Sequence, residues 1–559
     1  MIPQPIIDLA EICTQKGITD AVISPGSRNA PITIAFARHP GIKTYVIPDE
    51  RSAGFIALGL SQYLNKPVVL ICTSGSAVYN YSPAVAEAFY SHVPLIILSA
   101  DRPPEWIDQK DGQTIHQKNI FGDHVKQSFE FPDTYEHPDI QWHCHRIVNE
   151  AINASIHNQQ GPIHINIPLR EPFYPIPGQE IEYSKDIKLI EEYSSSPTLS
   201  EEAVKVLIGE LKIFNRVMIF IGQKKAGMEL PESIANSYPV ISDVISNFKN
   251  LNCIRHHDLF LSNIRSETSE SITPDLLITF GGATISKGLK TFIRTHRPDH
   301  WHIQSEGPAA DTFQSLTKII RTSPTNFIEN ILLRGEGNPS YSNSWKNLDI
   351  ETRKEIENTL SDEYWEMKAV GSLIHNLPES CHLHLGNSMP VRWANFLGNM
   401  KPNVQVFCNR GTSGIDGSLS TAVGYALECS DPVVVIIGDM SFFYDRNGLW
   451  HNHLPDNLRI VVLNNHGGGI FRMIDGPSQQ PELDKYFETD QKLNGKKTAE
   501  EFDIEYFDAN SNETLKKATP SFFNLKGKAK MLEIQTDSKT NKAFFDKLKA
   551  QIKNRLKNI

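Results

Sequence analysis

Residues 432–471, PVVVIIGDMSFFYDRNGLWHNHLPDNLRIVVLNNHGGGIF, restrict the possible folds of this chain more than any other stretch. An apolar run ends at Gly438-Asp439, and a helix-like pattern follows from about Tyr444 to Leu454. A second apolar run then ends at Asn464-Asn465, before three glycines. Uninterrupted apolar runs of this kind suit strands buried on both faces of a parallel sheet. The 26 positions from Asp439 to Asn465 fit one strand–helix–strand crossover, which returns both strands to the same sheet edge. Both side chains are then expected to emerge at neighbouring C-terminal strand ends, where open α/β sheets bind ligands.

The donors gathered there are a carboxylate, an amide oxygen and the backbone carbonyl of Gly467. This set suits a hard divalent cation: magnesium, or manganese in its place. Magnesium takes about six oxygens and draws several of them from substrate phosphates and water. Glycines 467–469 let backbone approach closely, and the start of a following helix offers N–H donors to phosphate. Gly-Asp alone is more often an ordinary strand-end turn. Gly-Asp, the spacing, Asn-Asn and Gly-Gly-Gly together resemble the diphosphate-binding signature of thiamine-diphosphate enzymes, in which Gly-Asp precedes Asn-Asn by roughly 25 to 30 residues. Met440 stands where many such sequences have glycine, at a position that is not a ligand.

The rest of the chain repeats the alternation. Apolar runs at 19–25, 43–48, 67–75 and 94–101, with a helical pattern over 51–64, predict a first α/β block. Runs at 216–222, 275–282 and 301–304 predict a second, and those at 381–386, 404–408, 432–439, 458–465 and 530–535 a third. Stretches rich in Pro, Ser and Glu at 172–200 and rich in Gly, Asn and Ser at 335–345 read as linkers. The expected architecture is α/β, with three doubly wound parallel-sheet domains at 1–180, 195–335 and 350–559. Residues 489–515, polar and rich in Lys and Glu, read as a mobile or peripheral segment. A chain of 559 residues needs two to four domains, which agrees. A net charge of −10 argues against a nucleic-acid partner, though not against anionic small substrates. Seven scattered cysteines without a CxxC pair point to a reducing compartment. No signal-peptide pattern and no apolar run near the ~20 residues a membrane span needs is visible, so a soluble cytoplasmic protein is expected.

Thiamine diphosphate needs a carboxyl group at its pyrimidine ring nitrogen to exchange a proton, which is general acid–base work for one residue in an apolar crevice. Glu50, after a strand and at the start of a helix in IPDERSAGFIALGL, is the candidate. The simpler account of Asp49-Glu50 is helix N-terminal charge, and the diphosphate signature in the same chain favours the catalytic one. Ile415, in NRGTSGID, is a candidate apolar wedge under the bent cofactor.

SPGSRNAP (24–31), DERSAGFIALGL (49–60), TSGSAVYNYSPAVAEA (73–88), ADRPPE (100–105) and DGQTIHQ (111–117) resemble the N-terminal motifs of one thiamine-diphosphate family. GNSMPVRW (386–393), NRGTSGIDGSLSTAVG (409–424), GDMSFFYDRNGLW (438–450) and NNHGGGIF (464–471) resemble its C-terminal ones. The family is the carboligases of menaquinone biosynthesis, which add decarboxylated 2-oxoglutarate to isochorismate. The resemblance implies the thiamine-diphosphate enzyme fold: a pyrimidine-binding domain, a middle domain and a diphosphate-binding domain. It implies active sites shared between subunits of a homodimer or a dimer of dimers, with Glu50 from one chain and Asp439, Asn465 and Gly467 from its neighbour. It places Ser413, Gly414, Ile415, Gly438, Ser441 and Ile470 against the cofactor. Ser388 and Arg392 would hold the distal carboxylate derived from 2-oxoglutarate. Ser27, Arg28, Arg102, Gln113 and Arg410 would hold isochorismate, with Phe471 as apolar wall. Arginine forks pair bidentately with carboxylates, which suits two dicarboxylic substrates. Lys287, in TISKGLK, matches a cationic run that continues with arginine in relatives, but Gly288 follows it here and Lys290 would compensate. His466 reads as a loop residue.

Two other functions stay open on sequence grounds: a different thiamine-diphosphate 2-oxo acid decarboxylase or ligase, and a thiamine-binding relic without catalysis. The arginines disfavour a pocket for small apolar 2-oxo acids. Retention of Glu50 with Asp439 and Asn465 disfavours the relic.

Overall fold

The computed structural model describes residues 2–176, 178, 180–224, 230–249, 252–308, 310–360, 363–398 and 400–557. It contains three sheets, every pairing in them parallel. The first holds β1 (Asp20–Ile23), β2 (Lys43–Val46), β3 (Val68–Cys72), β4 (Leu95–Asp101), β5 (Ser128–Glu130) and β6 (Ile163–Pro168), in the order β2-β1-β3-β4-β6-β5. The second holds β7 (Val217–Ile221), β8 (Val240–Ser242), β9 (Leu276–Phe280), β10 (Asp299–Ile303) and β11 (Leu316–Ile320), in the order β11-β10-β9-β7-β8. The third holds β12 (Cys381–Leu385), β13 (Val404–Phe407), β14 (Val433–Gly438), β15 (Leu458–Asn464), β16 (Glu505–Ala509) and β17 (Lys530–Gln535), in the order β13-β12-β14-β15-β17-β16.

Counted within each unit, the first and third sheets have the same order, 2-1-3-4-6-5, and the second has 2-1-3-4-5. In all three the chain changes direction between the first and third strands, the switch point at which doubly wound sheets open a ligand crevice. The central strands are buried on both faces; β3, β4, β9 and β15 are buried along their whole length. That is why they are continuous apolar runs in the sequence.

The first and third units also pack on each other within one chain. Helix Glu50–Leu64 crosses helix Ser418–Ala426 at two glycines. A Cβ at Gly59 would run into the Thr421 carbonyl, and one at Gly424 into the Ile56 carbonyl. Only hydrogen side chains allow backbones to come this close.

Two expectations are corrected. The linker at 335–345 is short, because helix Pro339–Thr359 begins inside it, capped by Asn338, which accepts the Tyr341 N–H at 3.0 Å. Its buried residues Tyr341, Trp345, Leu348, Thr352 and Ile356 form one helical face. The crossover after β14 starts earlier than Tyr444: helix Asp439–Asp445 leads into a 3-10 turn, Arg446–Leu449. Segment 489–515 lies at the periphery of the third unit, as one of the two expected readings had it, with helix Lys496–Glu501, buried Thr498 and Ala499, and edge strand β16. Segment 172–200 has no helix or strand among its described residues, but it is not detached. Its Lys188 and Ile190 carbonyls take hydrogen bonds from Asn149 and Asn153 of the first unit.

Candidate active site

Every expected site residue lies at the C-terminal end of a strand, on the loop beyond it or on the helix that follows. In the third unit, Ser388 follows β12, Arg410 to Ile415 follow β13, Gly438 ends β14 with Asp439 to Ser441 following it, and Asn465 to Phe471 follow β15. In the first unit, Ser27 and Arg28 follow β1, Glu50 follows β2, Arg102 follows β4, and Gln113 lies in the loop beyond it. Four of these loops hold a non-glycine residue in the left-handed region: Gln113 (φ 55), Ser388 (φ 74), Ser413 (φ 60) and His466 (φ 64). Such conformations persist only where surrounding structure over-determines them, and they gather at binding sites.

Asp439 is 1 % exposed and opens the helix after β14. Burial pushes its carboxyl up to about 7, against hydrogen bonds from the Gln491 side chain and the Met440 and Gly467 backbone that lower it. Gln491 Nε2 donates to Asp439 Oδ2 at 2.6 Å. Beside it, Asn465 Nδ2 donates to Glu366 Oε2 at 2.8 Å, while Asn465 Oδ1 is buried with no hydrogen-bond partner among the described residues. The Gly467 carbonyl accepts the Gly469 N–H at 3.0 Å, which leaves its second lone pair. A Cβ on Gly467 would come within 2.7 Å of the Glu488 carbonyl oxygen, so the glycine run lets segment 483–488 close over the loop. Arg472 fastens that segment through ion pairs with Asp484 and Glu488. A cavity of about 400 Å³ opens here, lined by Asn465, His466, Glu488 and Gln491 among others. Among the described residues no three His, Cys, Asp or Glu side chains are set to hold a metal. A cation in this place would therefore rest on one carboxylate, one amide oxygen and backbone, the sparse set that magnesium accepts when phosphates complete its shell.

Glu50 is half-buried at the first turn of its helix. The preceding Asp49 caps that helix by accepting the Ser52 N–H at 3.0 Å, and its other oxygen accepts Asn447 Nδ2 at 2.8 Å. Asp49 therefore has the capping task and Glu50 does not. Arg51 reaches the Tyr444 carbonyl at 2.8 Å, so this loop is tied to the crossover that starts at Asp439.

The arginines divide into two groups. Arg28 is buried, donates to the Leu169 carbonyl at 2.8 Å and lies 4.7 Å from the Phe173 ring centre. Arg102 pairs with Asp111 at 3.0 Å and donates to the Gly112 carbonyl, next to Gln113. Arg410 donates to Asn387 Oδ1 at 2.8 Å, and its Nε has no partner among the described residues. Arg392 donates to the Ser388 carbonyl at 2.6 Å and, with Lys287 and Ile470, lines a cavity of about 660 Å³ between the second and third units. Ser27 and Gln113 are exposed, and Ile415 is 37 % exposed. Ser441 Oγ donates to the Ile415 carbonyl at 2.7 Å, and Phe471 stacks obliquely on Phe487 at 5.9 Å.

Gly288 has a local cause. Its N–H donates to Asp258 Oδ1 at 2.6 Å, and a Cβ there would meet the Asp258 carbonyl oxygen at 2.9 Å. An arginine at that position would have to push the Asp258 backbone aside. Lys290 is half-buried near Arg410, donates to the Thr284 carbonyl at 3.2 Å and is weakened as a base by burial.

Four residues outside the expected site set hold these loops in place: Glu366, Gln491, Asn387 and Glu87, of which Asn387 and Glu87 stand inside the matched stretches GNSMPVRW and TSGSAVYNYSPAVAEA. Asn387 donates to the carbonyls of Asn409 and Gly414, both at 2.7 Å, and so ties the Arg410 loop to β12. Glu87, from the first unit, accepts the N–H groups of Gly411 and Thr412 and the Thr412 hydroxyl at 2.7–2.8 Å.

Comparison with known proteins gives the family. Residues 8–122 match the thiamine pyrophosphate enzyme N-terminal TPP binding domain, 223–385 the middle domain of thiamine pyrophosphate, and 386–532 the thiamine pyrophosphate enzyme C-terminal TPP binding domain. The 2-succinyl-5-enolpyruvyl-6-hydroxy-3-cyclohexene-1-carboxylate synthase of Cytophaga hutchinsonii is 47% identical over 554 residues, 98% of this chain and 99% of that protein. The synthase of Bacteroides fragilis is 39% identical over 92% of this chain and 93% of its own. That of Flavobacterium johnsoniae is 38% identical over 97% and 98%. With end-to-end identity at this level and all three domain matches in order, the chain belongs to the 2-succinyl-5-enolpyruvyl-6-hydroxy-3-cyclohexene-1-carboxylate synthase family of thiamine-pyrophosphate enzymes.

Proposed function

We propose that this chain catalyses the thiamine-diphosphate-dependent decarboxylation of 2-oxoglutarate and the conjugate addition of the resulting four-carbon unit to isochorismate, a step of menaquinone biosynthesis. The observation that carries this is the 47% identity over 98% of the chain to a synthase named for the product of that reaction. It is a cytoplasmic transferase in this reading, and seven buried, unpaired cysteines agree with a reducing compartment.

The residues fit the cofactor and its ion. Asn465 Oδ1 is a buried acceptor without a donor among the described residues, which is costly unless something else occupies it. Asp439 is a buried carboxylate beside it, and the glycine run leaves backbone within reach. Asp439, Asn465 and the Gly467 carbonyl would hold magnesium, or manganese in its place. Gly438, Ser413, Gly414, Ser441, Ile415 and Ile470 would line the cofactor. When bound, thiamine diphosphate supplies the electron sink for decarboxylation and the carbon nucleophile for addition. The protein supplies position and charge. Glu50 exchanges a proton with the pyrimidine ring nitrogen. Ser388 and Arg392 hold the distal carboxylate of 2-oxoglutarate, next to Lys287. Ser27, Arg28, Arg102, Gln113 and Arg410 hold isochorismate, with Lys290 adding charge and Phe471 closing the apolar side. Residues 1–180 serve as the pyrimidine-binding domain, 195–335 as the middle domain and 350–559 as the diphosphate-binding domain. Two chains form each pair of sites, as a dimer or a dimer of dimers.

The test is a mass-spectrometric assay with 2-oxoglutarate, isochorismate, thiamine diphosphate and magnesium, following both CO₂ and the adduct. The adduct is expected only when all four are present, and CO₂ release without adduct in the presence of isochorismate would overturn the assignment. Glu50→Gln should lower turnover by about 10²- to 10⁴-fold while cofactor and metal still bind. Undiminished turnover in that variant would remove Glu50 from its role.

A further inference from the structure

We propose that Glu366 is the positioning residue that decides which atom of Asn465 faces the cation. The inference rests on the proposed cation at Asp439 and Asn465 and concerns a residue outside that ligand set.

An asparagine amide has a donor end and an acceptor end of nearly the same shape, so packing alone does not choose between them. A cation accepts only the oxygen. At Asn465 the choice is made by hydrogen bonds. Glu366 is 1 % exposed at the first turn of helix Glu366–His375. Its Oε1 accepts Trp393 Nε1 at 2.7 Å, and its Oε2 accepts Asn465 Nδ2 at 2.8 Å, Thr536 Oγ1 at 3.2 Å and Asn541 Nδ2 at 3.2 Å. Two of these partners cannot reverse. The Trp393 indole nitrogen only donates. The Glu366 backbone N–H donates to Asn541 Oδ1 at 3.0 Å, which turns the Asn541 amide so that its nitrogen meets the carboxylate. Each carboxylate oxygen thus faces one donor of fixed sense, Trp393 on Oε1 and Asn541 on Oε2, and the ionised group accepts from Asn465. Nδ2 is committed to Glu366, and Oδ1 is left buried with no partner among the described residues. Gly469 makes room for this, since a Cβ there would lie 3.0 Å from Asn465 Nδ2. Partners of this kind behind a metal ligand commonly govern affinity by about 10- to 100-fold.

The full-length protein is tested with thiamine diphosphate present and manganese(II) as the probe, the free ion being counted by its electron paramagnetic resonance signal. Glu366→Gln puts an NH₂ group among donors and frees Asn465 to turn over, so manganese affinity is expected to fall about 10- to 100-fold. In an Asn465→Asp background either orientation offers an oxygen, so adding Glu366→Gln should cause no loss, and relief from the like charge should tighten binding. Equal losses in both backgrounds, or none in the first, would overturn the proposal. Asn541→Ala unlocks the carboxylate without removing it, is expected to weaken binding in the same direction, and serves where Glu366→Gln does not accumulate. Asp439→Ala separates the two ideas: manganese binding that survives it refutes the cation site itself, whereas its loss there with no effect of Glu366→Gln refutes only the role of Glu366.

Discussion

At the scale of single residues, the first unit carries a polar cluster whose protonation has a stability consequence. His164 lies on β6, fully buried, with its ring nitrogens 2.7 Å from Ser99 Oγ and 3.2 Å from Ser128 Oγ. Burial pushes it down to about 3 from the ordinary 6.5. Between those values the unfolded chain binds a proton that the folded chain refuses, so stability rises with pH across this window and is lost as pH falls below 6.5. One such group is worth about 1.4 kcal/mol per pH unit, or roughly 2 kcal/mol between neutral pH and pH 5. The melting temperature of the wild-type protein is therefore expected to drop further between pH 7.5 and pH 5 than that of His164→Gln. Equal drops in the two proteins would show that His164 takes up its proton without unfolding.

At the scale of elements, one carboxylate joins two units. Glu87, 1 % exposed on helix Ser82–Ser91, accepts four hydrogen bonds, three of them from Gly411 and Thr412 and the fourth from Ser91 Oγ at 2.6 Å. The loop it holds begins at Arg410, the proposed isochorismate contact. Glu87→Gln turns an acceptor into a donor facing donors, at a cost of about 1.5–3 kcal/mol. The Michaelis constant for isochorismate is expected to rise about tenfold, a change of ~1.4 kcal/mol, with that for 2-oxoglutarate nearly unchanged. Parallel rises in both would mean that the clamp maintains the whole domain contact rather than this loop. None of this is legible in the sequence. The stretch that contains Glu87 is matched to the family, but within it Glu87 reads only as a helical glutamate, and the loop groups it holds lie more than 320 positions away. What is legible has local causes. The doubly buried strands show as apolar runs, and the spacing from Asp439 to Asn465 reports one crossover. Edge strands β5 and β16, SFE and EYFDA, are short and half polar and carry no such signal. At 335–345 the loop-forming composition hides a helix start that Asn338 and Pro339 announce by capping and by proline in the first turn. Glu366 and Gln491 are invisible for the same reason as Glu87: their roles exist only after distant loops meet.

At the scale of the molecule, the shared strand order of the first and third units makes them pseudo-equivalent, so that Glu50 at the end of β2 corresponds to Arg410 at the end of β13. The glycine crossing holds these two units together in one chain, yet the single chain leaves the proposed site unfinished. Ile415 is 37 % exposed, and Ser27 and Gln113 face solvent, whereas cofactor chemistry of this kind needs water kept out. A second copy placing its own first unit over these loops would complete the enclosure, with Glu50 of one chain serving Asp439 of the other. Complementation tests this directly. Glu50→Gln and Asp439→Asn are each expected to be nearly inactive alone. When the two are unfolded together, mixed in equal amounts and refolded, half of the dimers are hybrids. Each hybrid then holds one site with both residues intact and one with both altered. Activity should return to about one quarter of the wild-type value. If each chain instead supplies both residues to its own site, every site in every hybrid still lacks one of them and the mixture stays inactive. Recovery near a quarter thus assigns the site to two chains, and none assigns it to one.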